Sequence, residues 1–495
     1  MRTERNVLAL TLAAALAAFS VSAQDAKKPD AKDAKDAKKE AAKEVKKAAP
    51  PVAFVGGDIH TVTRGVIRNG TVVVENGKIT RVGQDVEIPE GATRIDVTGK
   101  VIAPGLVAIN ATNVGIRAGG GGPGGGGPGG GATGKVADNL NPFDRNILFC
   151  LGSGITTACV EVGAGPGGRF GRNGEVPEDL LELIDLVAND GTQLCPCCGL
   201  AILPTEPIGP APQAERTARR HAVLKMSYGD MGPMLVKESP FYHLPAGSLT
   251  GALNRHQWRD QIKRAKQQLK SQPAADDGMG FDAGGGAPGA RRVPDEVLKL
   301  VEKKIPLRTD AFSAEQVRDM IALAKELDYD LVLDGVHEGW LVAGELGAAK
   351  VQTVLTPRSR RRAAPGKDET SGSSIETSGV LEKAGVPFAV APLSPSVSLD
   401  GLPGRDLTSL ALEAAFAVRG GASEQTALAA VTIVPAKMLG LGDRIGSIEE
   451  GKDAYLLILD GAPLYYRTYV QQAYVGGKLC YDRARERIYP DAQKK

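Results

Sequence analysis

Lys304–Gly335 reads KIPLRTDAFSAEQVRDMIALAKELDYDLVLDG, and this stretch decides the fold. Ile305-Pro306-Leu307-Arg308-Thr309 is a short strand that ends at Asp310. Ser313 then caps a helix, with Gln316 three residues on completing a capping box. Val317, Met320, Ile321, Ala324 and Leu327 fall on one face of that helix. Leu331-Val332-Leu333 is the next strand and ends at Asp334-Gly335. Strand, amphipathic helix and strand in about thirty residues make a βαβ unit, the building block of a parallel sheet. Pro387-Phe388-Ala389-Val390 with the helical stretch Leu407–Arg419 repeats the pattern.

Outward from this centre, both ends of the chain change period. Thr71-Val72-Val73-Val74-Glu75 and Lys78-Ile79-Thr80-Arg81-Val82 flank Asn76-Gly77, the signal of a two-residue hairpin. Arg94-Ile95-Asp96-Val97, Thr98-Gly99 and Lys100-Val101-Ile102 read as a second such device. Near the C-terminus, Arg444–Ile448, Asp453–Leu459 and Tyr474–Lys478 are again short strands with glycine turns. Neither strand set alone makes a comfortable core, so one β-sandwich built from both ends is expected around a central α/β body.

The first residues are read as an export signal. Arg2 and Arg5 precede the apolar run Val7–Val21, and Val21-Ser22-Ala23 offers small residues for cleavage. The run is shorter than the roughly 20 residues a bilayer needs. No stable membrane span is therefore expected, and a periplasmic or extracellular location is. Gln24–Pro51 is Lys, Ala, Asp and Glu with almost nothing to bury, a solvated tether. Ala118–Gly134 is nearly all glycine, and Ala274–Arg291 is a milder Gly/Ala/Pro linker. Arg358-Ser359-Arg360-Arg361-Arg362 is a basic loop, read as a solvated turn or an anion contact. With 60 Lys and Arg against 58 Asp and Glu, the net charge is +2, and nothing in it argues for nucleic acid as a partner. Of the six cysteines, Cys195, Cys197 and Cys198 form Cys-Pro-Cys-Cys, while Cys150, Cys159 and Cys480 are scattered. No His or second Cys pair stands at zinc-site spacing, which leaves disulfides or buried thiols.

The outer motifs carry a family resemblance. Gly57-Asp58-Ile59-His60-Thr61-Val62, Gly65–Gly70 and Gly99-Lys100-Val101-Ile102-Ala103-Pro104-Gly105-Leu106-Val107 resemble the opening of the amidohydrolase superfamily. Ala430-Val431-Thr432-Ile433-Val434-Pro435-Ala436-Lys437 and Gly446–Ala454 resemble its close. The middle, through Ile305-Pro306-Leu307-Arg308, is similar to the imidazolonepropionase-like branch. The resemblance implies a (β/α)8 TIM-like barrel plus a small composite β-sandwich. The segments are then 1–23 signal peptide, 24–51 tether, 52–103 N-terminal half of the sandwich, 104–442 barrel with a glycine-rich insert at 118–134, 443–485 C-terminal half of the sandwich and 486–495 tail. It also implies hydrolysis of carbon–nitrogen bonds by zinc or another divalent ion, which lowers the pKa of a bound water and polarises a carbonyl.

At each position where the family places a metal ligand, this chain has something else. The first-strand His-x-His position reads Asn110-Ala111-Thr112. The fifth-strand His position holds Asp310, the sixth-strand one Gly335 and the eighth-strand Asp position Leu393. An amide and a hydroxyl bind transition metals far more weakly than two imidazoles. Of five histidines, His60 belongs to the sandwich, and His221, His243 and His256 read as surface residues. His337 lies just past a strand end, beside Glu338 and near Asp334, where such barrels place their sites. No metal or other cofactor is therefore expected. Two functions stay open: a pseudoenzyme serving as a ligand-binding or assembly module, with Asn110, Thr112, Asp310 and His337 in its pocket, or an active hydrolase of a small cyclic amide or acylated compound. The latter would work around Asp310 and His337, with Asp334 and Glu338 beside them. A small molecule at the barrel mouth is the expected partner, and a homo-oligomer remains open. The glycine-rich insert would overhang that mouth, gating it or idle.

Overall fold

The computed structural model describes residues 50–116, 136–162, 193–194, 201–202, 219–271 except 231 and 233, 293–398 except 364, 365 and 367–369, and 404–486. The export signal, nearly all of the tether, the glycine-rich insert, the 274–291 linker, the Cys195/Cys197/Cys198 cluster and most of the tail lie outside the described residues. Among the described residues no helix is long and apolar enough to cross a membrane.

Both ends of the chain meet in one eight-stranded sheet. Its strands are β1 (Val52–His60), β2 (Val66–Glu75), β3 (Lys78–Gly83), β4 (Thr93–Asp96) and β5 (Val101–Pro104), joined by three from the far end of the sequence. The middle of the chain supplies the strands before those three, beginning with β6 (Leu106–Ala111), β7 (Ile155–Val162), β8 (Gln193–Leu194), β9 (Ala201–Ile202), β10 (Arg220–Lys225) and β11 (Leu235–Glu238). Next come β12 (Tyr242–Leu244), β13 (Leu307–Asp310), β14 (Leu331–Asp334), β15 (Gln352–Leu355) and β16 (Phe388–Val390). The last three are β17 (Leu456–Leu459), β18 (Val470–Val475) and β19 (Lys478–Asp482).

The outer sheet runs β19-β18-β17-β5-β1-β2-β3, with β4 beside β1. The β2–β3 turn is the expected hairpin: Asn76 and Gly77 both have positive φ, 51° and 79°, as the mirror-image turn demands. The Thr98-Gly99 reading needs correction. β4 and β5 do not pair with each other; both lie parallel to β1, one after the other along it. The turn between them is real, closed by Lys100 N–H to the Val97 carbonyl at 3.0 Å, but it carries the chain onward rather than back. A local turn signal fixes the bend and not the partner. The outer sheet encloses its own core, including Phe54, Ile59, Val72, Ile102, Leu456 and Tyr474. Ala454 N–H reaches the Gly77 carbonyl at 2.8 Å, tying the first hairpin to the returning C-terminal segment.

Two further sheets are β11-β10-β7-β6 and β12-β13-β14-β15-β16. The second is parallel throughout, as the βαβ reading requires. Its crossover helix, α1 (Ala314–Leu327), has the capping box read from sequence: Ser313 Oγ accepts from Gln316 N–H and the Gln316 side chain accepts from Ser313 N–H. Val317, Met320, Ala324 and Leu327 are buried beneath it. In the first sheet β6 and β7 are parallel, but β10 runs antiparallel to β7, a departure from the expected all-parallel order. Arg219 and His243 bridge the two sheets on one side, and Thr112 and Ser396 bridge them on the other. Cys150 and Cys159 are buried free thiols and Cys480 is a half-buried one; burial pushes the Cys159 thiol up to about 12.

Candidate functional site

The strand β13 is fully buried, yet its second residue is an arginine. Side chains alternate across a strand, so Arg308 and Asp310 share one face. Asp310 pairs in register with Asp334 of β14, which brings two carboxylates and the guanidinium to one place. Arg308 Nε lies 3.0 Å from both Asp334 oxygens, and Nη2 donates to Oδ2 at 2.6 Å. Nη1 donates to the Ile109 carbonyl at 3.2 Å, and Nη2 also donates to Asn110 Oδ1. The Phe241 ring covers the guanidinium face at 4.6 Å from Cζ. Arg308 is 0% exposed. Burial opposes its charge, but Asp334, by charge and hydrogen bond, more than offsets this and holds its pKa above the ordinary arginine value.

Two imidazoles adjoin this ion pair, and here the sequence reading is corrected. His221 of β10 and His243 of β12, expected on the surface, are 5% and 3% exposed. His243 Nδ1 lies 3.4 Å from His221 Nε2, and His221 Nδ1 lies 3.3 Å from the Arg219 carbonyl. Both rings are held neutral. Burial, then the charge of Arg308, brings His221 down to about 3; burial, His221 and Arg308 hold His243 well below the usual histidine range. His243 Nε2 has no hydrogen-bond partner among the described residues. One donor atom from each of His243, Asp310 and Asp334 lies within 4.8 Å of the others.

The remaining candidates fall elsewhere. Thr112 is occupied in the link to Ser396, its N–H bonded to the Pro395 carbonyl at 2.8 Å. Gly335 bends away at φ +67°, and a Cβ there would stand 2.5 Å from the Phe312 ring, so the position has space for neither an imidazole nor a methyl. Leu393 is 44% exposed beyond β16. Glu338 is buried and accepts from Ala314 N–H and Gly372 N–H, both at 2.8 Å; it braces the start of α1. His337 lies in a cleft with Gly335, Thr356, Ser359 and Ser374, where its Nε2 is 2.8 Å from Ser359 Oγ. His60 ends β1, and His256 pairs with Asp260 at 3.2 Å on an exposed helix face. Sequence reasoning thus found Asn110, Asp310 and Asp334 and missed Arg308, His221, His243 and Phe241. The available signal was Arg308 itself, a charge two residues before Asp310 in an otherwise apolar strand.

Comparison with known proteins agrees with these motifs. Residues 395–480 match the amidohydrolase family. The structure resembles that of an amidohydrolase from Thermotoga maritima, with a TM-score of 0.60 and 25% identity over 87% of this chain and 100% of that one. It also matches a putative prolidase from Bifidobacterium longum, at TM-score 0.45 and 19% identity over 88% and 95%. No curated protein matches. Residues 395–480 thus carry the amidohydrolase family's pattern, and the fold as a whole is similar to that of an amidohydrolase.

Proposed function

We propose that β6, β7, β10 and β12–β16 close a single barrel and that Arg308 supplies, at its centre, the positive charge a metal supplies in the superfamily. On this reading the chain is an exported ligand-binding or assembly module with a hydrolase ancestry. The observation that carries it is the Arg308 guanidinium, bonded at once to Asp334 and to Asn110, the residue standing where the resemblance places the first metal-binding imidazole. Arg308 argues against a divalent ion among His243, Asp310 and Asp334. Such an ion would share the Asp334 carboxylate with a buried guanidinium, and two cations at that range in a dry interior repel by several kcal/mol, on the order of the cost of an uncompensated buried charge. Only one donor of the three is an imidazole, which weakens selection for zinc further.

One observation favours a second reading, a hydrolase with a single ion. His243 Nε2 lacks a partner among the described residues and belongs to the three-donor cluster with Asp310 and Asp334. Thermal unfolding in the presence of Zn²⁺ or Mn²⁺ separates the two. Binding to the native state alone raises the midpoint with ion concentration. The guanidinium reading expects no rise; a saturable rise that Asp310→Asn abolishes would establish the second reading instead.

A further inference from the structure

The structure assigns a second, chemically distinct site: we infer that Ser359 is an acyl-accepting nucleophile with His337 as its general base, acting on small esters that carry a negative charge. This goes beyond the proposal for the strand centre and does not depend on it, since none of the residues around Arg308 takes part.

The argument begins with how the two side chains are held. His337 follows the left-handed Gly335, and its N–H closes a tight turn onto the Gly335 carbonyl at 2.6 Å. Its ring packs on Phe312 with centroids 5.5 Å apart. Ser359 lies in the loop after β15, in a turn closed by its own N–H to the Thr356 carbonyl at 2.9 Å. The neighbouring Arg358 anchors that loop: Nε donates to the buried Glu413 at 2.7 Å, Nη2 to the Gly404 carbonyl, and the guanidinium lies over Phe416 at 5.0 Å. Ser359 is therefore a fixed hydroxyl and not a passing surface serine. At 2.8 Å, its Oγ and His337 Nε2 are at proton-transfer distance.

The surroundings suit an acyl group. Both side chains are half-buried in a cleft lined also by Leu355, Thr356, Ser373 and Ile375. The free space beside them is about 20 Å³, room for a water or a carbonyl head rather than a large substrate. Other hydroxyls of the cleft are committed to structure: Thr377 Oγ1 donates to the Ser374 carbonyl at 2.7 Å and Ser378 Oγ to the Ala417 carbonyl at 2.8 Å. Arg360, Arg361 and Arg362 follow directly in sequence, with Arg361 Nη1 3.5 Å from Glu338. This concentration of positive charge favours an acyl compound bearing a carboxylate.

The step balances without any further reactant but water. Ser359 Oγ bonds to the acyl carbon as its proton passes to His337 Nε2. The bond to the leaving alcohol breaks, and that alcohol takes the proton from His337. Water then attacks the acyl-serine, giving its proton to His337, which returns one to Ser359 Oγ as the acid leaves.

A fluorophosphonate probe incubated with the full-length protein, followed by peptide mapping, tests this. The expected result is one adduct on Ser359, absent in Ser359→Ala, with a labelling rate that rises as an imidazole loses its proton and falls at least about a hundredfold in His337→Gln. Unfolding transitions of both variants, read alongside, show that they fold. Failure of folded wild-type protein to label at Ser359, or equal labelling in folded His337→Gln, overturns the assignment. Neither result bears on whether Arg308 or a metal holds the strand centre.

Discussion

The Arg308 centre and the His337–Ser359 cleft sit at the ends of neighbouring strands, yet their physics is opposite. Around Arg308 every charge has been matched inside the protein: guanidinium to carboxylate, amide and carbonyl, with an aromatic ring above and two neutral imidazoles beside. Around Ser359 a hydroxyl–imidazole contact faces a cleft half-open to solvent. The first arrangement is closed around its ion pair, with His243 Nε2 the buried atom left over among the described residues. The second is suited to chemistry because its hydroxyl and imidazole meet where a small molecule can reach them. A polar cluster at a strand end is thus not by itself an active site; what matters is whether its groups can still be reached from solvent.

Substitutions can break that contrast. The largest effect is expected from Arg308→Met, which strands Asp334 as a buried unpaired charge, or from Asp334→Asn. Breaking one side of a buried pair costs about 3–5 kcal/mol, measurable by denaturant unfolding. The double variant Arg308→Met/Asp334→Leu should recover much of that loss. If each single variant costs less than about 1 kcal/mol, as exposed pairs do, the centre is wetter and looser than described.

A pH dependence follows from the same region. His221 is held neutral down to about 3 in the folded protein, against an ordinary value near 6.5. Below 6.5 the unfolded chain therefore binds a proton that the folded one does not. Stability from this group is fully present above about pH 6.5 and is lost as pH falls toward 3, by an amount on the order of a few kcal/mol. Equilibrium unfolding across that window should show a steeper acid limb in wild type than in His221→Leu. Parallel limbs would mean that His221 takes up its proton without opening the fold.

Gly335→Ala should cost about 1–3 kcal/mol through the strained positive φ alone, before the Phe312 clash is added. It should also slow labelling at Ser359, because the turn that aims His337 is built on Gly335. Ser359→Ala closes the series: losing one hydroxyl hydrogen bond at a half-open site should cost no more than about 1 kcal/mol while abolishing the label. A large stability loss there would reclassify the pair as structural.

How far these features could be read in the sequence depends on how local their causes are. The capping box at Ser313 and Gln316, the Asn76-Gly77 hairpin and the β13–α1–β14 unit were legible because each is decided within a few residues. The meeting of Asn110, Asp310 and Asp334 around one strand was legible in part, since each lies in a recognisable strand motif. The pairing of β4 and β5 with β1 was not, because Thr98-Gly99 sets a bend and says nothing of which strand receives the chain. His221 and His243 were misplaced for a similar reason. Polar neighbours in sequence made them look exposed, whereas their strands β10 and β12 turn them inward against Phe241 and Arg308. The Ser359–His337 contact joins residues from two different strand–loop junctions, and only the parallel pairing of β14 with β15 brings those junctions together.

The central claim, that Arg308 holds the place of a metal, is tested most directly by elemental analysis of the purified, dialysed full-length protein. The account expects zinc, manganese, iron, cobalt and nickel together to remain far below one ion per chain, with no change in Asp310→Asn. One ion per chain surviving dialysis, and lost in Asp310→Asn, would contradict it.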